Sequence, residues 1–184
     1  GAGNDTYVVD SFTDMVVELA NQGTDTVLTT VGTYTLGAHV ENVSYTGPGR
    51  FTGNGNALNN VISGNVNIDV LNGGAGNDTL NGGGGNDRLD GGAGNDVAIF
   101  EGMREAATIT RTGVGNWTIT TATGGTDTVI GVEEVRFSDG SLYTSSQSAY
   151  MVPTQPNVSF QAILSAGDVG GVKLVKTYTL TRGR

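Results

Sequence analysis

"LNGGAGNDTLNGGGGNDRLDGGAGNDVAIF" (residues 71–100) states one pattern three times at a spacing of nine. Ile62, Leu71, Leu80 and Leu89 fall nine apart and Ala98 follows; Asp69, Asp78, Asp87 and Asp96 keep the same interval. Between the aliphatic positions lie the turns 64–69, 73–78, 82–87 and 91–96. Self-similarity at so short a period marks a solenoid, in which each unit packs on its neighbours. Each unit reads as a six-residue turn and a three-residue strand whose middle residue is apolar and points inward.

The turns have a chemical reading. Tight turns need positive φ at some positions, which glycine adopts cheaply, and bare glycine lets backbone carbonyls converge. The Asp that closes each turn adds a charged, hard oxygen. Carbonyls and carboxylates together form the donor set of calcium, which takes about six to eight oxygens. Magnesium prefers a stiffer octahedron with retained water and fits less well. Softer metals want His or Cys, and the chain has one His and no Cys.

Charge placement agrees. Glycine is the commonest residue, 31 of 184, and the net charge is −9. Residues 1–100 hold nine Asp and two Glu against Arg50 and Arg88, which is −9, while residues 101–184 hold seven acids and seven bases. All the excess negative charge therefore lies in the Gly/Asn/Asp-rich part. That predicts cations as partners and no nucleic acid, which would want the opposite sign. No stretch approaches the roughly 18 apolar residues of a membrane span. The opening GAGNDTYVVD lacks the charged start and apolar run of a signal peptide and begins inside a Gly-x-Gly-Asn-Asp unit, as expected of a piece of a longer protein.

Residues 73–81 (GGAGNDTLN), 82–90 (GGGGNDRLD) and 91–99 (GGAGNDVAI) resemble the G-G-x-G-x-D-x-U-x nonapeptide of RTX proteins. The resemblance implies an all-β fold: a right-handed parallel β-roll with calcium between stacked turns, followed by a small antiparallel β cap. Two nonapeptides make one turn of such a roll, so Asp69 is expected to share a calcium with Asp87, and Asp78 with Asp96. Carbonyl ligands are implied at the first and third turn positions: Gly64 and Val66, Gly73 and Ala75, Gly82 and Gly84, Gly91 and Ala93. Asp5 and Asp25, each leading into a short apolar strand, are further candidates. Two to four calcium ions are expected.

The flanks are degenerate. GNVNID (64–69) puts Asn65 and Asn67 where glycine belongs, and Asn tolerates positive φ better than most residues. One unit earlier Asn60 replaces the Asp, which predicts a coil with little or no calcium. The expected organisation is a roll over 1–100 (irregular coils 1–63, regular repeats 64–99), a β cap over 101–145, and a linker with a β-rich tail over 146–184. Asp14 before MVV suggests one more strand near the start. Trp117, Phe137 and Tyr143 are expected to fill the cap.

No motif of hydrolytic or nucleotide chemistry is present, and His39 alone cannot supply a zinc site or triad. The expected role is therefore not enzymatic. The resemblance implies a calcium-binding structural module of a secreted bacterial protein, exported through type I secretion and folding on extracellular calcium. Two alternatives concern the parent. The chain is either part of a calcium-dependent surface layer, filament or adhesin, self-associating or contacting other surface proteins, or the non-catalytic C-terminal part of a secreted hydrolase or polysaccharide-active enzyme. The tail separates them: a floppy secretion signal in an enzyme, an ordered strand pair in an assembly subunit.

Overall fold

The computed structural model describes residues 1–144, 160–164 and 174–178. Two parallel sheets face each other, and the chain passes from one to the other at each turn. The first contains β1 (Thr6–Val9), β2 (Thr26–Thr29), β4 (Asn42–Tyr45), β6 (Val61–Ser63), β8 (Thr79–Asn81), β10 (Val97–Phe100), β14 (Glu134–Phe137) and β15 (Leu142–Thr144), in that order. The second contains β3 (Thr33–Thr35), β5 (Thr52–Asn54), β7 (Val70–Ala75), β9 (Arg88–Ala93), β13 (Gly125–Ile130), β12 (Asn116–Thr121) and β11 (Thr108–Gly113). The molecule is an all-β parallel solenoid.

The aliphatic period is the core. Val27, Val43, Ile62, Leu80, Ala98 and Val135 stack in register in the first sheet, and Leu71, Leu89 and Val129 in the second. All are buried, because strand alternation turns the middle residue of each short strand inward. Gly53 occupies a core position where a β-carbon would strike the Phe51 ring and Ile62. That space lets Phe51 lie inside, stacked on Tyr45 with ring centroids 4.7 Å apart.

The parallel stack continues past Phe100, where the sequence reading ended it. β13 pairs parallel with β9, and β14 with β10, so residues 125–137 add a coil. The antiparallel cap is built onto that coil: β11 and β12 form a hairpin that joins β13, and β15 folds back on β14. Trp117 and Phe137 are buried there, and the Trp117 indole N–H donates to the Val132 carbonyl at 3.1 Å. The Tyr143 side chain lies outside the described residues. Met15–Val17 forms no strand; Asp14 instead accepts the Asp10 and Ser11 amides and closes a local turn. In the tail, β16 (Phe160–Leu164) and β17 (Leu174–Tyr178) pair antiparallel as a separate sheet; the rest of 145–184 lies outside the described residues.

Candidate metal sites

Each predicted Asp sits immediately before a strand, and the stacking of coils places these residues in two files. In each file a carboxylate accepts the backbone N–H of the ladder residue one coil earlier. Asp87 Oδ1 accepts the Asp69 amide at 2.8 Å, and Asp127 Oδ1 the Asp87 amide at 2.7 Å. In the other file Asp78 Oδ1 accepts the Asn60 amide at 2.7 Å, and Asp96 Oδ1 the Asp78 amide at 2.8 Å. Glu133 accepts the Asp96 amide, also at 2.8 Å. The expected pairs Asp69/Asp87 and Asp78/Asp96 are thus brought together, 18 residues apart.

The second oxygen of each carboxylate turns toward the first glycine of its own turn. A β-carbon on Gly73 would collide with Asp78 Oδ2 and lie 2.5 Å from the Gly91 carbonyl oxygen of the next coil. A β-carbon on Gly64 would meet Asp69 Oδ2 and the Gly82 carbonyl, and one on Gly91 would meet Asp96 Oδ2 and the Gly131 carbonyl. Over Gly82 stands Asp87 Oδ2. The first glycine therefore keeps open a space into which a carboxylate oxygen and a carbonyl from the next coil converge. Among the third-position residues, Ala75 and Ala93 are register partners, and the Ala93 carbonyl accepts the Gly76 amide at 2.9 Å. Val66 stacks under Gly84, its carbonyl oxygen 3.6 Å from where a β-carbon would stand.

Counter-charge is sparse here, Arg50 acting on Asp69. Asp69, Asp78, Asp87, Asp96 and Asp127 are all buried, and Asp78 Oδ2 and Asp96 Oδ2 have no hydrogen-bond partner. Burial pushes the Asp87 carboxyl up to about 7 and those of Asp78 and Asp127 up to about 6, and raises Asp69 and Asp96 in the same direction. A buried, unpartnered anion is costly unless a cation joins it. Carboxylates and backbone carbonyls without nitrogen or sulfur suit a hard cation such as calcium.

The degenerate coils solve the same problem with amides. Asn60 Oδ1 accepts the Asn56 amide at 2.8 Å while its Nδ2 donates to the Glu41 carbonyl at 3.0 Å. Asn56 Nδ2 donates to the carbonyls of Gly37 and Val40, both at 2.8 Å. Asn65 Nδ2 reaches the Gly47 and Gly49 carbonyls, both at 2.9 Å, and Asn67 Nδ2 reaches the Pro48 carbonyl at 3.1 Å. Asn65 and Asn67 do not adopt positive φ, contrary to expectation. Their amides instead saturate carbonyls of the Gly47–Pro48–Gly49 loop.

At the start of the roll Asp25 Oδ1 accepts the Asp5 amide at 2.8 Å, 20 residues away, and Glu41 accepts the Asp25 amide at 2.8 Å. Asp5, Asp25 and Glu18 each place one carboxylate oxygen within 4.8 Å of the others. The sequence reading missed four of these acids: Glu18, Glu41, Asp127 and Glu133. For three of them a signal was available. GTDTV occurs at 23–27 and again at 125–129, and Val40-Glu41-Asn42-Val43 has a counterpart in Val132-Glu133-Glu134-Val135. Both pairs mark coils that rejoin the ladder after an irregular excursion. Glu18 has no such signature.

The repeats have a counterpart among known protein families. A model of the RTX calcium-binding nonapeptide repeat matches in four copies, over residues 54–83 and 63–98. No curated protein matches the chain. Among solved structures, the extracellular lipase LipA from Serratia marcescens resembles it at 19% identity and a TM-score of 0.47. That match covers 61% of this chain and 19% of the lipase chain. With its Asp files in register and its first glycines set against carboxylate oxygens, the segment 54–98 is similar in sequence and geometry to the RTX calcium-binding nonapeptide repeat.

Proposed function

We propose that the chain is a non-catalytic structural module that folds on calcium outside the cell, after export of a larger bacterial protein by type I secretion. The observation that carries this reading is the pair of unpartnered, buried oxygens on Asp78 and Asp96, each over a glycine-cleared space. In the proposed ligation, Asp69, Asp78, Asp87 and Asp96 supply carboxylate oxygens. Gly82, Gly91 and the other first- and third-position residues supply carbonyls. Carboxylate oxygens stand over Gly64, Gly73, Gly82 and Gly91, but only those of Asp78 and Asp96, over Gly73 and Gly91, lack a partner, which favours the lower end of the expected two to four ions. Calcium is scarce in cytosol and about millimolar outside, matching the roughly 10⁻⁴–10⁻³ M affinities of extracellular modules. Binding free energy then becomes folding free energy, so the chain stays open until exported.

Calcium titration of the metal-stripped chain, followed by far-UV circular dichroism, tests the proposal. Strand signal is expected to rise cooperatively at millimolar calcium and not at equal magnesium. A chain fully folded in excess chelator overturns it.

The antiparallel pair β16–β17 favours a second reading, in which the module is a subunit of a surface assembly and the tail contacts a neighbour. Deleting residues 157–184 is then expected to leave calcium-driven folding intact and to abolish calcium-triggered oligomers in light scattering. A full chain that stays monomeric with and without calcium removes this reading, leaving the module as the accessory part of a secreted enzyme.

A further inference from the structure

Residues 10–22 leave the roll between β1 and β2 and show inverted burial. Phe12, Met15, Val17 and Leu19 are exposed, whereas Glu18 is only 5% exposed. A loop that leaves four apolar side chains in water, packs only Val16 against the core and inserts its one glutamate is organised around that carboxylate. Glu18 Oε1 accepts the Tyr7 hydroxyl and, at 2.6 Å, the Gly1 ammonium. Its Oε2 is buried without a partner; Asp5 Oδ2 makes no hydrogen bond and faces only the Gly1 ammonium, 3.2 Å away. Asp25, 1% exposed, faces them from the next coil. Among the described residues no Lys or Arg side chain pairs with these three carboxylates; their ion pairs are with the Gly1 ammonium alone, 3.2 Å from Asp5 and 2.6 Å from Glu18, a charge that a peptide bond to a preceding residue would remove.

We propose that Asp5, Glu18 and Asp25 form a second kind of calcium site, built from three carboxylates, with Glu18 delivered by the excursion rather than by a repeat turn. Oxygens on one coordination sphere of about 2.4 Å radius are at most about 4.8 Å apart, and these three fall within that limit. Three carboxylates with no nitrogen or sulfur donor are hard oxygen ligands, the donor type calcium takes. The site differs from the turn sites in its ligands. Those combine a carboxylate with glycine carbonyls of stacked turns; this one gathers side chains from β1's approach, the excursion and β2's approach. Its role is to pin the excursion onto the end of the roll. The inference rests on the geometry of these three side chains and stands or falls apart from the nonapeptide sites.

Tyr7 provides a local probe, since its hydroxyl touches Glu18. Terbium substitutes for calcium and emits when a nearby tyrosine is excited. In the full chain, terbium titration is expected to give a saturable emission component that calcium competes away. Glu18→Gln and Tyr7→Phe should both lose that component, and direct calcium binding to Glu18→Gln should show one ion fewer. Asp78→Asn, which disables a turn site, should keep it. Circular dichroism at saturating calcium checks that each variant folds. Should Glu18→Gln fail that check, wild type against Tyr7→Phe decides alone. Equal emission from wild type and Tyr7→Phe overturns the proposal, as does an unchanged ion count in folded Glu18→Gln. Loss of binding in Asp78→Asn with the Tyr7 component retained separates failure at one kind of site from failure at the other.

Discussion

Asp87 and Asp90 lie three residues apart and have different fates. Asp87 is 3% exposed, its Oδ1 in the ladder and its Oδ2 over Gly82. Asp90 emerges two positions after Arg88 on the outward face and pairs with it at 2.9 Å, as strand alternation requires. Replacing Asp87 by Ala removes a charged ligand and leaves carbonyls of two coils without their cation. Its calcium midpoint is expected to rise tenfold or more, a loss of about 1.4 kcal/mol or greater. Asp90→Ala is expected to stay within about 0.5 kcal/mol of wild type, because exposed ion pairs contribute little. Paired calcium titrations measure both; equal effects would show the register to be wrong. A second test separates space from backbone strain. Gly73 does not take positive φ, unlike Gly74 at 106°. Gly73→Ala therefore acts through its β-carbon, which collides with Asp78 Oδ2 and crowds the Gly91 carbonyl. We expect a loss of about 1–3 kcal/mol, as for other overpacked sites, read as a lower melting temperature in calcium.

At the scale of the coil, calcium dependence is uneven. In the turns at 73–78 and 91–96 the Asp oxygen is buried without a partner, whereas between 37 and 67 the amides of Asn56, Asn60, Asn65 and Asn67 satisfy the neighbouring carbonyls. Hydrogen exchange after calcium removal should therefore be graded: amides of β8 and β9 lose protection first, while those of β4 and β5 hold longer. Uniform loss along the roll would contradict this. Asn60→Asp sharpens the test. It exchanges an amide that donates to the Glu41 carbonyl for a carboxylate that cannot. The variant should be less stable than wild type in chelator, by about 1–3 kcal/mol for an unmet buried group, and regain part of the loss in calcium.

Across the whole molecule the buried acids set a pH dependence opposite to that of salt-bridged carboxylates. In the calcium-free fold the pKa values of Asp78, Asp87 and Asp127 stand at about 6, 7 and 6, against 3.8 for the free side chain. The folded state thus holds protons more tightly than the unfolded one. This contribution is fully present below pH 3.8 and is lost as pH rises through about 6 to 7. Metal-stripped protein is expected to retain more strand signal at pH 5 than at pH 8. Calcium competes with the same protons, so the gain in strand signal on adding calcium should be larger at pH 8 than at pH 5. Circular dichroism at the two pH values, with and without calcium, measures both effects. A calcium-free roll that is most stable at pH 8 would contradict the placement of these carboxylates.

The period of nine was enough to determine the solenoid and its aliphatic core, which depend on local alternation and fixed spacing that a linear chain displays directly. The pairs Asp69/Asp87 and Asp78/Asp96 came from the resemblance to RTX rolls, in which two nonapeptides make one turn. What lies across an excursion depends on where the chain returns, and only the tertiary structure decided that. Asp127 meets Asp87 after 40 residues and Glu133 meets Asp96 after 37, because the β11–β12 hairpin is looped out and the coil then resumes. Glu18 reaches Asp5 and Asp25 from a segment with no repeat at all. The exchange of calcium for asparagine amides in the early coils is likewise invisible in composition. It depends on which carbonyl lies above each Asn, and that is a property of stacking, not of sequence order.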